Sequence, residues 1–332
     1  MAAATGELQH AGSRALVSVF FSSRERLPEH AADSSQTERR NPRTVDIDLA
    51  TPIEIVDAIG IEDRGVPAAV AAERESIAKA VAIAESVFRN GGRLLYVGAG
   101  TSGRLGVLDA VECPPTFGTD PAMVQGLIAG GETALTRAVE GAEDRPEDGA
   151  RDIEARAVGP GDFVVGIAAS GATPYVRGAL RAAHVAGART AIVACTPIAD
   201  ALRADLDVAI LPIVGPEVVT GSTRMKAGTA TKLVLNTITT GAMIRLGKTY
   251  GNLMVDLRAT NAKLAARSER IVAEVCHVSR DEARRALEAA GGGVKLAIVM
   301  RARGVSRADA ERLLAEAGGV LRLVIGPPPA VV

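Results

Sequence analysis

Three short loops in the sequence combine glycine with serine or threonine, a composition that suits the binding of an anion. They are Gly98–Gly103 (GAGTSG), Ala169–Pro174 (ASGATP) and Gly221–Lys226 (GSTRMK). Each is expected to lead into a helix, whose free N-terminal N–H groups and dipole attract negative charge. N-capping alone would explain any one of them. Two of the loops follow predicted strands and the third follows the segment after the last strand, so a parallel sheet would bring them to one anion site.

Two glutamates are candidates for acid–base chemistry. Glu112 lies one predicted helix after the first loop, immediately before Cys113–Pro115, which is predicted to form a rigid turn. Glu143 lies in the run VEGAED, after the second predicted strand. A β-elimination or an isomerisation requires one base and one acid, provided that their environments give them different protonation states. Because most glutamates are solvated surface residues, spacing alone establishes neither role.

A nucleotide site is the main alternative for the first loop, because GAGTSG matches the pattern G-x-G-x-x-G. Such a site needs an acidic residue for the ribose about 20 residues later. Here the next predicted strand ends in Ala129-Gly130-Gly131 instead, and no P-loop pattern occurs in the sequence. The four histidines fall in no motif, so neither a Ser-His-Asp triad nor a zinc site is indicated. The hydroxyl-rich loops therefore favour a compact phosphate monoester, such as a phosphosugar.

The elements that must position these residues alternate apolar runs with amphipathic stretches. Strands are predicted at Leu94–Val97, Met123–Ala129, Phe163–Ala168, Thr190–Ala194 and Val208–Val214. Helices are predicted between them at Thr133–Val139, Pro146–Ala157 and Pro174–Ala186. Unbroken apolar strands alternating with helices predict an α/β fold: a three-layer αβα, doubly wound parallel sheet of about five strands. Ligands of such sheets bind at the carboxyl ends of the strands.

The chain is predicted to divide into five parts. These are a disordered extension (1–35), an N-terminal segment with flanking helices (36–90), the α/β domain (91–247), a long helix (248–276) and a small three-helix C-terminal unit (277–326). Within 36–90, residues 36–52 are predicted to be extended, followed by a short helix from Pro52 and a longer one from Pro67 to Phe88. After the last strand, 223–246 and 253–275 are predicted to be helical.

Composition narrows the classes of partner. The net charge of −1 provides no positive field for nucleic acid or an anionic membrane surface. No apolar run approaches the roughly 20 residues of a membrane-spanning helix. The three cysteines are far apart and follow no metal-ligand spacing. We therefore expect reduced thiols in a cytoplasmic protein, with no nucleic-acid or membrane partner.

The longer motifs resemble those of the N-acetylmuramic acid 6-phosphate etherases, in collinear order over roughly residues 36–320. They are GAGTSGRLG (98–106), DAVECPP (109–115), LIAGGE (127–132), VEGAED (139–144), VGIAASGATPY (165–175), GPEVVTGSTRMKAGTATKLVL (215–235) and GNLMVDLRATN (251–261). That family carries a sugar isomerase domain, which phosphosugar isomerases and the glucokinase regulatory protein share. The resemblance therefore implies the same doubly wound fold.

The resemblance also implies a reaction: cleavage of the D-lactyl ether of N-acetylmuramate 6-phosphate to N-acetylglucosamine 6-phosphate and D-lactate, by elimination and then hydration. By motif position Glu112 would be the proton donor and Glu143 the second active-site residue, expected to be the base, although the motifs do not decide which carboxylate is the base. The substrate-binding residues implied are Gly100, Thr101, Ser102, Gly103, Ser170, Gly171, Thr173, Ser222, Thr223 and, as a weaker candidate, Lys226.

The resemblance implies no metal or cofactor. It does imply a homodimer with a site partly shared across its interface. Two other functions remain open on this fold. One is a non-catalytic phosphosugar-binding regulator and the other is a phosphosugar isomerase. A DNA-binding regulator would need a basic helix-turn-helix, which residues 1–90 do not contain.

Overall fold

A five-stranded parallel sheet with the order β2-β1-β3-β4-β5 forms the centre of the molecule in a computed structural model that describes residues 36–259 and 261–330. The extension predicted at 1–35 lies outside the described residues. The strands are β1 (Leu94–Gly98), β2 (Val124–Ile128), β3 (Phe163–Ile167), β4 (Arg189–Val193) and β5 (Val208–Ile210). The fold class predicted from the sequence is therefore confirmed.

Helices cover both faces of the sheet. The helices up to the end of the sheet domain are α1 (Pro52–Asp63), α2 (Val66–Ala72), α3 (Arg74–Arg89), α4 (Gly100–Phe117), α5 (Thr133–Thr136), α6 (Pro146–Ala155), α7 (Pro174–Val185), α8 (Asp200–Ala204) and α9 (Lys226–Arg245). Leu94 and Tyr96 of β1 point to the face packed by α3, α4 and α9, whereas Leu95 and Val97 point to the face packed by α6 and α7. This two-sided burial explains why the strands are apolar throughout.

The strand order places a topological switch point between β1 and β3. The chain leaves β1 to form β2 on one side of it and then crosses over to β3 on the other side. The two strands pair in register from Leu94 opposite Phe163 to Gly98 opposite Ile167. The loops after β1 and β3 therefore open side by side, at the place where doubly wound sheets bind ligands.

The N-terminal segment differs in detail from the prediction. Residues 36–52 contain short 3₁₀ turns at Gln36–Glu38 and Ile47–Leu49 rather than a purely extended chain. The single helix predicted from Pro67 is two helices, because the backbone of Glu73 leaves helical values at φ −90° and ψ 14°.

Helix α4 continues through the segment predicted to be a turn. Pro114 and Pro115 lie inside its last turn, and Gly118, with φ +64°, ends the helix by donating its N–H to the Pro114 carbonyl. A proline can remain in a helix because its fixed φ is helical, although it loses one hydrogen bond. The predicted rigid turn after Glu112 is therefore wrong, and Glu112 lies on a helix.

The C-terminal region forms a second core around helices of its own. A two-stranded antiparallel hairpin, β6 (Thr249–Tyr250) and β7 (Leu253–Met254), precedes α10 (Ala262–Cys276). The long helix predicted from 248 is wrong over its first half, since α10 begins only where the Asn261 side chain accepts a hydrogen bond from the Leu264 N–H at 2.9 Å. The described residues of the C-terminal unit form four helices rather than three: α11 (Arg280–Ala289), α12 (Val294–Arg303), α13 (Arg307–Glu316) and α14 (Leu321–Ile325). None of the helices in 36–259 and 261–330 is long and apolar enough to cross a membrane.

Candidate active site

The first glycine-rich loop turns directly from β1 into α4. A Cβ on Gly98 would lie 2.6 Å from the Gly103 nitrogen, and a Cβ on Gly103 would lie 2.6 Å from Ile128 Cγ1. Gly100 adopts φ +52°, a value that other residues rarely reach. No side chain caps α4 at its N-cap residue, Ala99. The tight turn thus leaves the first N–H groups of the helix available to an anion, with the Thr101 and Ser102 hydroxyls beside them.

The second loop repeats this arrangement after β3. Gly171 adopts φ +68°, and the Ser170 hydroxyl accepts a hydrogen bond from the Ala172 N–H at 3.3 Å. Thr173 is the N-cap residue of α7, Pro174 is the first helical residue, and no side chain caps this helix. Because β1 and β3 are neighbours, the N-termini of α4 and α7 meet at the switch point.

The third loop lies beside the first, but a group of the protein occupies the N-terminus of its helix. A Cβ on Gly228, in the first turn of α9, would lie 3.8 Å from Thr101 Cγ2, so this turn adjoins the first loop. The N–H groups of Lys226 and Ala227 donate to the two carboxylate oxygens of Glu217 at 3.1 and 2.9 Å. Glu217 is fully buried, and burial raises its pKa although these N–H groups and Lys226 oppose the rise.

This contact corrects the prediction that the third loop offers a helix N-terminus to phosphate. An internal carboxylate already occupies that position, and α9 begins at Lys226 rather than at Thr223. Ser222 and Thr223 are only half buried, so their hydroxyls can line the site without the helix N–H groups.

Lys226 is also engaged within the protein. Its ammonium lies 2.6 Å from Glu62 Oε2, and both side chains are 2% exposed. Arg43 donates from Nε and Nη2 to the same carboxylate at 2.6 and 2.9 Å. Burial by itself would raise the pKa of Glu62, but the hydrogen bonds from Arg43 and Lys226 hold it at about 2. Lys226 therefore anchors α9 to α1, and the structure does not place it as a phosphate ligand.

Glu143 lies on the side of the two open loops. It is exposed on a 3₁₀ turn at Ala142–Asp144, which packs against α7. A Cβ on Gly130, just after β2, would lie 3.0 Å from Val139 Cβ, so the VEGAED run begins beside the end of that strand. Arg104 of α4 donates to the Leu135 and Arg137 carbonyls at 3.1 and 3.3 Å and fastens the intervening segment to the helix of the first loop.

Glu112 lies elsewhere, on an exposed face of α4. Ten residues separate it from Ser102, which corresponds to about 15 Å along the helix axis. It lines a cavity of about 380 Å³ between α4 and α9. Within one chain the structure therefore places the segment of Glu143 against α4 and α7, the helices of the first two loops, and it places Glu112 beside residues of α9.

Known proteins with the same motifs decide the family. The family described as "Glucokinase regulatory protein N-terminal SIS domain" matches residues 76–184. The N-acetylmuramic acid 6-phosphate etherase of Rhodopirellula baltica is 55% identical over 267 residues, covering 80% of this chain and 88% of the relative. N-acetylmuramic acid 6-phosphate etherase 2 of Vibrio parahaemolyticus is 57% identical over 264 residues, with coverage of 80% and 88%. The chain belongs to the N-acetylmuramic acid 6-phosphate etherase family.

The family predicted from the motifs is thus confirmed. Among solved structures, phosphoheptose isomerase from Neisseria gonorrhoeae is 21% identical and has a TM-score of 0.44, covering 58% of this chain and 98% of that one. At this distance the likeness adds nothing to the assignment of the site.

In this etherase-family chain a buried carboxylate near Glu112 was missed by sequence reasoning. Asp109, one helical turn before Glu112, is 5% exposed and accepts hydrogen bonds from Tyr96 Oη at 2.9 Å, Thr239 Oγ1 at 3.2 Å and the Asn236 amide. Burial raises the pKa of Asp109, and these hydrogen bonds oppose that rise. A carboxylate on the otherwise apolar side of α4 was the available signal, because such a group needs partners.

Glu62 and Glu217 were missed for a similar reason. Their partners come from other elements, so the sequence contains only an isolated glutamate in each case. Across the described residues there is no group of three or more His, Cys, Asp or Glu side chains arranged to hold a metal ion.

Proposed function

We propose that the protein cleaves the D-lactyl ether of N-acetylmuramate 6-phosphate to N-acetylglucosamine 6-phosphate and D-lactate, in the recycling of cell-wall amino sugars. The observation that carries this proposal is identity of 55–57% to etherases over 80% of the chain. The pair of uncapped helix N-termini at the switch point supports it, because a sugar phosphate needs such a site.

The phosphate is proposed to bind between the first two loops. The N-terminal N–H groups of α4 and α7 would hold it, with hydroxyls from Thr101, Ser102, Ser170 and Thr173. Gly100, Gly103 and Gly171 permit the close backbone approach, and Ser222 and Thr223 would line the wall. Helix N-termini can supply the positive charge that a chain with a net charge of −1 lacks.

The proposed chemistry is elimination followed by hydration. In the open-chain sugar the hydrogen on C2 is acidic because it lies next to the aldehyde. A base removes it, the electron pair forms the C2–C3 double bond, and the lactyl oxygen leaves C3 with a proton from an acid. Water then adds to C3, and a proton returns to C2. We assign the acid to Glu112 and the base to Glu143.

The separation of the two glutamates suggests a homodimer with shared sites. A phosphate at the N-terminus of α4 lies beyond its first turn, whereas Glu112 is about 15 Å further along the helix. Leu108 and Val111, which flank Glu112, are 49% and 58% exposed, as expected for a surface that a partner covers. We therefore propose that Glu112 of one protomer faces the phosphate loops of the other.

Mixing two inactive variants tests the shared site. Glu112→Gln and Glu143→Gln homodimers would each be inactive. After subunit exchange, half of the dimers would be mixed and would have one intact site, so about a quarter of the wild-type activity should appear. No recovery in verified mixed dimers would contradict sharing and place both glutamates in one chain's site.

A cytoplasmic location completes the proposal. Cys113 and Cys195 are buried and unpaired, and Cys276 is partly buried and unpaired, as is usual in a reducing compartment.

The reaction itself is tested in water enriched in heavy oxygen. Elimination and hydration would place the label on C3 of N-acetylglucosamine 6-phosphate and none in lactate. Label in lactate would contradict elimination. Glu112→Gln should lower lactate release by about 10²- to 10⁴-fold. Binding of the substrate by wild-type protein without any cleavage would instead support a phosphosugar-binding regulator.

A further inference from the structure

The cavity beside Glu112 is lined by polar side chains that are not part of the proposed phosphate site. It measures about 380 Å³, within the range of small-ligand pockets. The residues that matter here are Leu108, Asp109, Glu112, Thr116, Lys232 and Asn236.

Lys232 supplies the positive charge of this cavity. Its ammonium donates to Asn236 Oδ1. In the part of the chain that the structure describes, the lysine ion pairs are those of Lys226, Lys248 and Lys295, so Lys232 has no carboxylate within ion-pair distance. The side chain is exposed to the cavity and solvent. Lys232 is close enough to Asp109 to oppose the rise in the pKa of that carboxyl, but no ion pair joins the two groups, so the ammonium is available to pair with an anion that enters the cavity.

Buried residues fix the position of this cation. The Asn236 amide nitrogen donates to Asp109, which leaves its oxygen to accept from Lys232. Asp109 is in turn fixed by Tyr96 and by Thr239, which is 2% exposed. The ammonium is thus tied to the buried face of α4 rather than free to move with a long side chain.

Glu112 lies three residues after Asp109, about one turn further along α4, and its side chain lines the same cavity as Lys232. The proposed leaving group matches that pair. In a lactyl ether the carboxylate is separated from the ether oxygen by a single carbon, so an acid at the oxygen and a cation at the carboxylate must be neighbours. The lactyl methyl group has an apolar neighbour in Leu108, which is 49% exposed.

We propose that this cavity binds the lactyl group of the substrate, with Lys232 paired to its carboxylate and with Asn236 and Asp109 as positioning residues for Lys232. The inference rests on the proposed etherase function and names the part of the substrate that the cavity recognises. It makes Lys232 a specificity residue, because a sugar phosphate without the lactyl ether cannot use it.

The test compares the substrate with the product sugar, which lacks the lactyl group. In Lys232→Gln, kcat/KM for N-acetylmuramate 6-phosphate should fall by about tenfold to a hundredfold, the range for a hydrogen bond to a charged group. The inhibition constant of N-acetylglucosamine 6-phosphate should stay within about twofold of wild type. Lys79→Gln is the matched control, since Lys79 is an exposed lysine that donates to the Asp207 carbonyl at 2.7 Å. Equal weakening of substrate and product would overturn the proposal, because it would place Lys232 at the phosphate.

A neutral substrate analogue sharpens the test. Wild type should lose the same factor in kcat/KM when the lactyl carboxylate is converted to an amide, and Lys232→Gln should lose little further. Additive losses would overturn the pairing. Asn236→Ala should lower the product of the substrate's kcat/KM and the inhibition constant of the product sugar, as Lys232→Gln does. A merely structural role would weaken both ligands by the same factor and leave this quantity unchanged. If wild type releases no lactate, the etherase function itself is refuted. This outcome differs from failure of the Lys232 proposal, in which wild type is active.

Discussion

Helices α4 and α9 begin beside one another at the same edge of the sheet, but the N–H groups at their N-termini have different partners. Helix α4 follows GAGTSG and has no capping side chain, so its N–H groups face outward. Helix α9 follows GSTRM, and the Glu217 carboxylate is bound to its first N–H groups. Both loops contain glycine, serine and threonine. The difference is that a residue of the chain itself satisfies one helix dipole, and a ligand must satisfy the other.

The lysines of α9 show the same contrast. Lys226 is 2% exposed and paired with Glu62, from a helix 164 residues earlier. Lys232 is exposed, and its ammonium donates to the amide oxygen of Asn236 rather than to a carboxylate. A glycine-rich loop or a lysine therefore indicates a ligand site only where no group of the protein occupies it. Four predictions examine this distinction, beginning with the largest effect.

Breaking the Glu62 network should have the largest effect. Glu62→Gln removes the charge that Lys226 and Arg43 surround, and it leaves a buried ammonium without its partner. The free energy of unfolding, measured by urea titration, should fall by about 3–5 kcal/mol. Phosphosugar affinity of the folded protein should change little, because the pair supports α9 rather than the ligand. Asp57→Asn, which removes a carboxylate at an exposed position of the same helix, is the control, and an equally small effect at Glu62 would contradict a buried ion pair.

Emptying the N-terminus of α9 should have the next largest effect. Glu217→Ala leaves two buried N–H groups without acceptors, which should cost about 2–3 kcal/mol in unfolding free energy. Formate, a carboxylate small enough for the vacated space, should restore part of this loss and should not stabilise wild type. If formate stabilises both proteins equally, Glu217 is not acting as an internal anion.

Ser102 of the first loop and Ser222 of the third loop should contribute differently to ligand binding. Ser102→Ala should weaken the binding of N-acetylglucosamine 6-phosphate by about tenfold, because a hydrogen bond to a charged phosphate is lost. Ser222→Ala should weaken it by less than about twofold, because its helix N-terminus is already occupied by Glu217. Isothermal titration calorimetry of both variants measures the two affinities. Equal losses of affinity would place phosphate at the third loop as well.

The sequence predicted what depends on local pattern. The strands begin within a residue or so of their predicted starts, because an apolar run buried on two faces is visible without the fold. The ends were less certain: β5 stops at Ile210 although the apolar run continues to Val214. The first two loops were found because their glycines and hydroxyls are adjacent in the chain.

Prediction failed where distant residues decide the structure. Pro114–Pro115 signals a turn, yet the helix continues to Gly118, where the chain packs so closely on Asp256 that a Cβ would lie 2.3 Å from the Asp256 carbonyl oxygen. The run from Leu253 has apolar residues suited to a helix, but Tyr250 Oη donates to the Gly326 carbonyl at 3.0 Å and ties this region to the C-terminus as a hairpin. The capping of α9 by Glu217 and the pairing of Lys226 with Glu62 both need the folded chain, so the sequence alone made the third loop and its lysine resemble ligand-binding groups.

The smallest expected effect is a difference in pH dependence between the two buried glutamates. The folded pKa of Glu62, about 2, lies below the ordinary value, so the stabilisation is present above about pH 4.3 and is lost as the pH falls toward 2. Burial raises the pKa of Glu217, so the sign is reversed: stability linked to this group is present below the ordinary value and is lost as the pH rises through the raised pKa.

Unfolding free energies of wild type, Glu62→Gln and Glu217→Gln between about pH 3 and 7 test both signs. The difference between wild type and Glu62→Gln should shrink by roughly 1 kcal/mol on acidification, after allowance for solvent screening. The difference between wild type and Glu217→Gln should grow over the same range. If both differences shrink on acidification, both carboxylates are governed by paired cations; if both grow, burial governs both. Either result would contradict the contrast in the structure, where Glu62 accepts hydrogen bonds from Arg43 and Lys226 and Glu217 accepts them from backbone N–H groups.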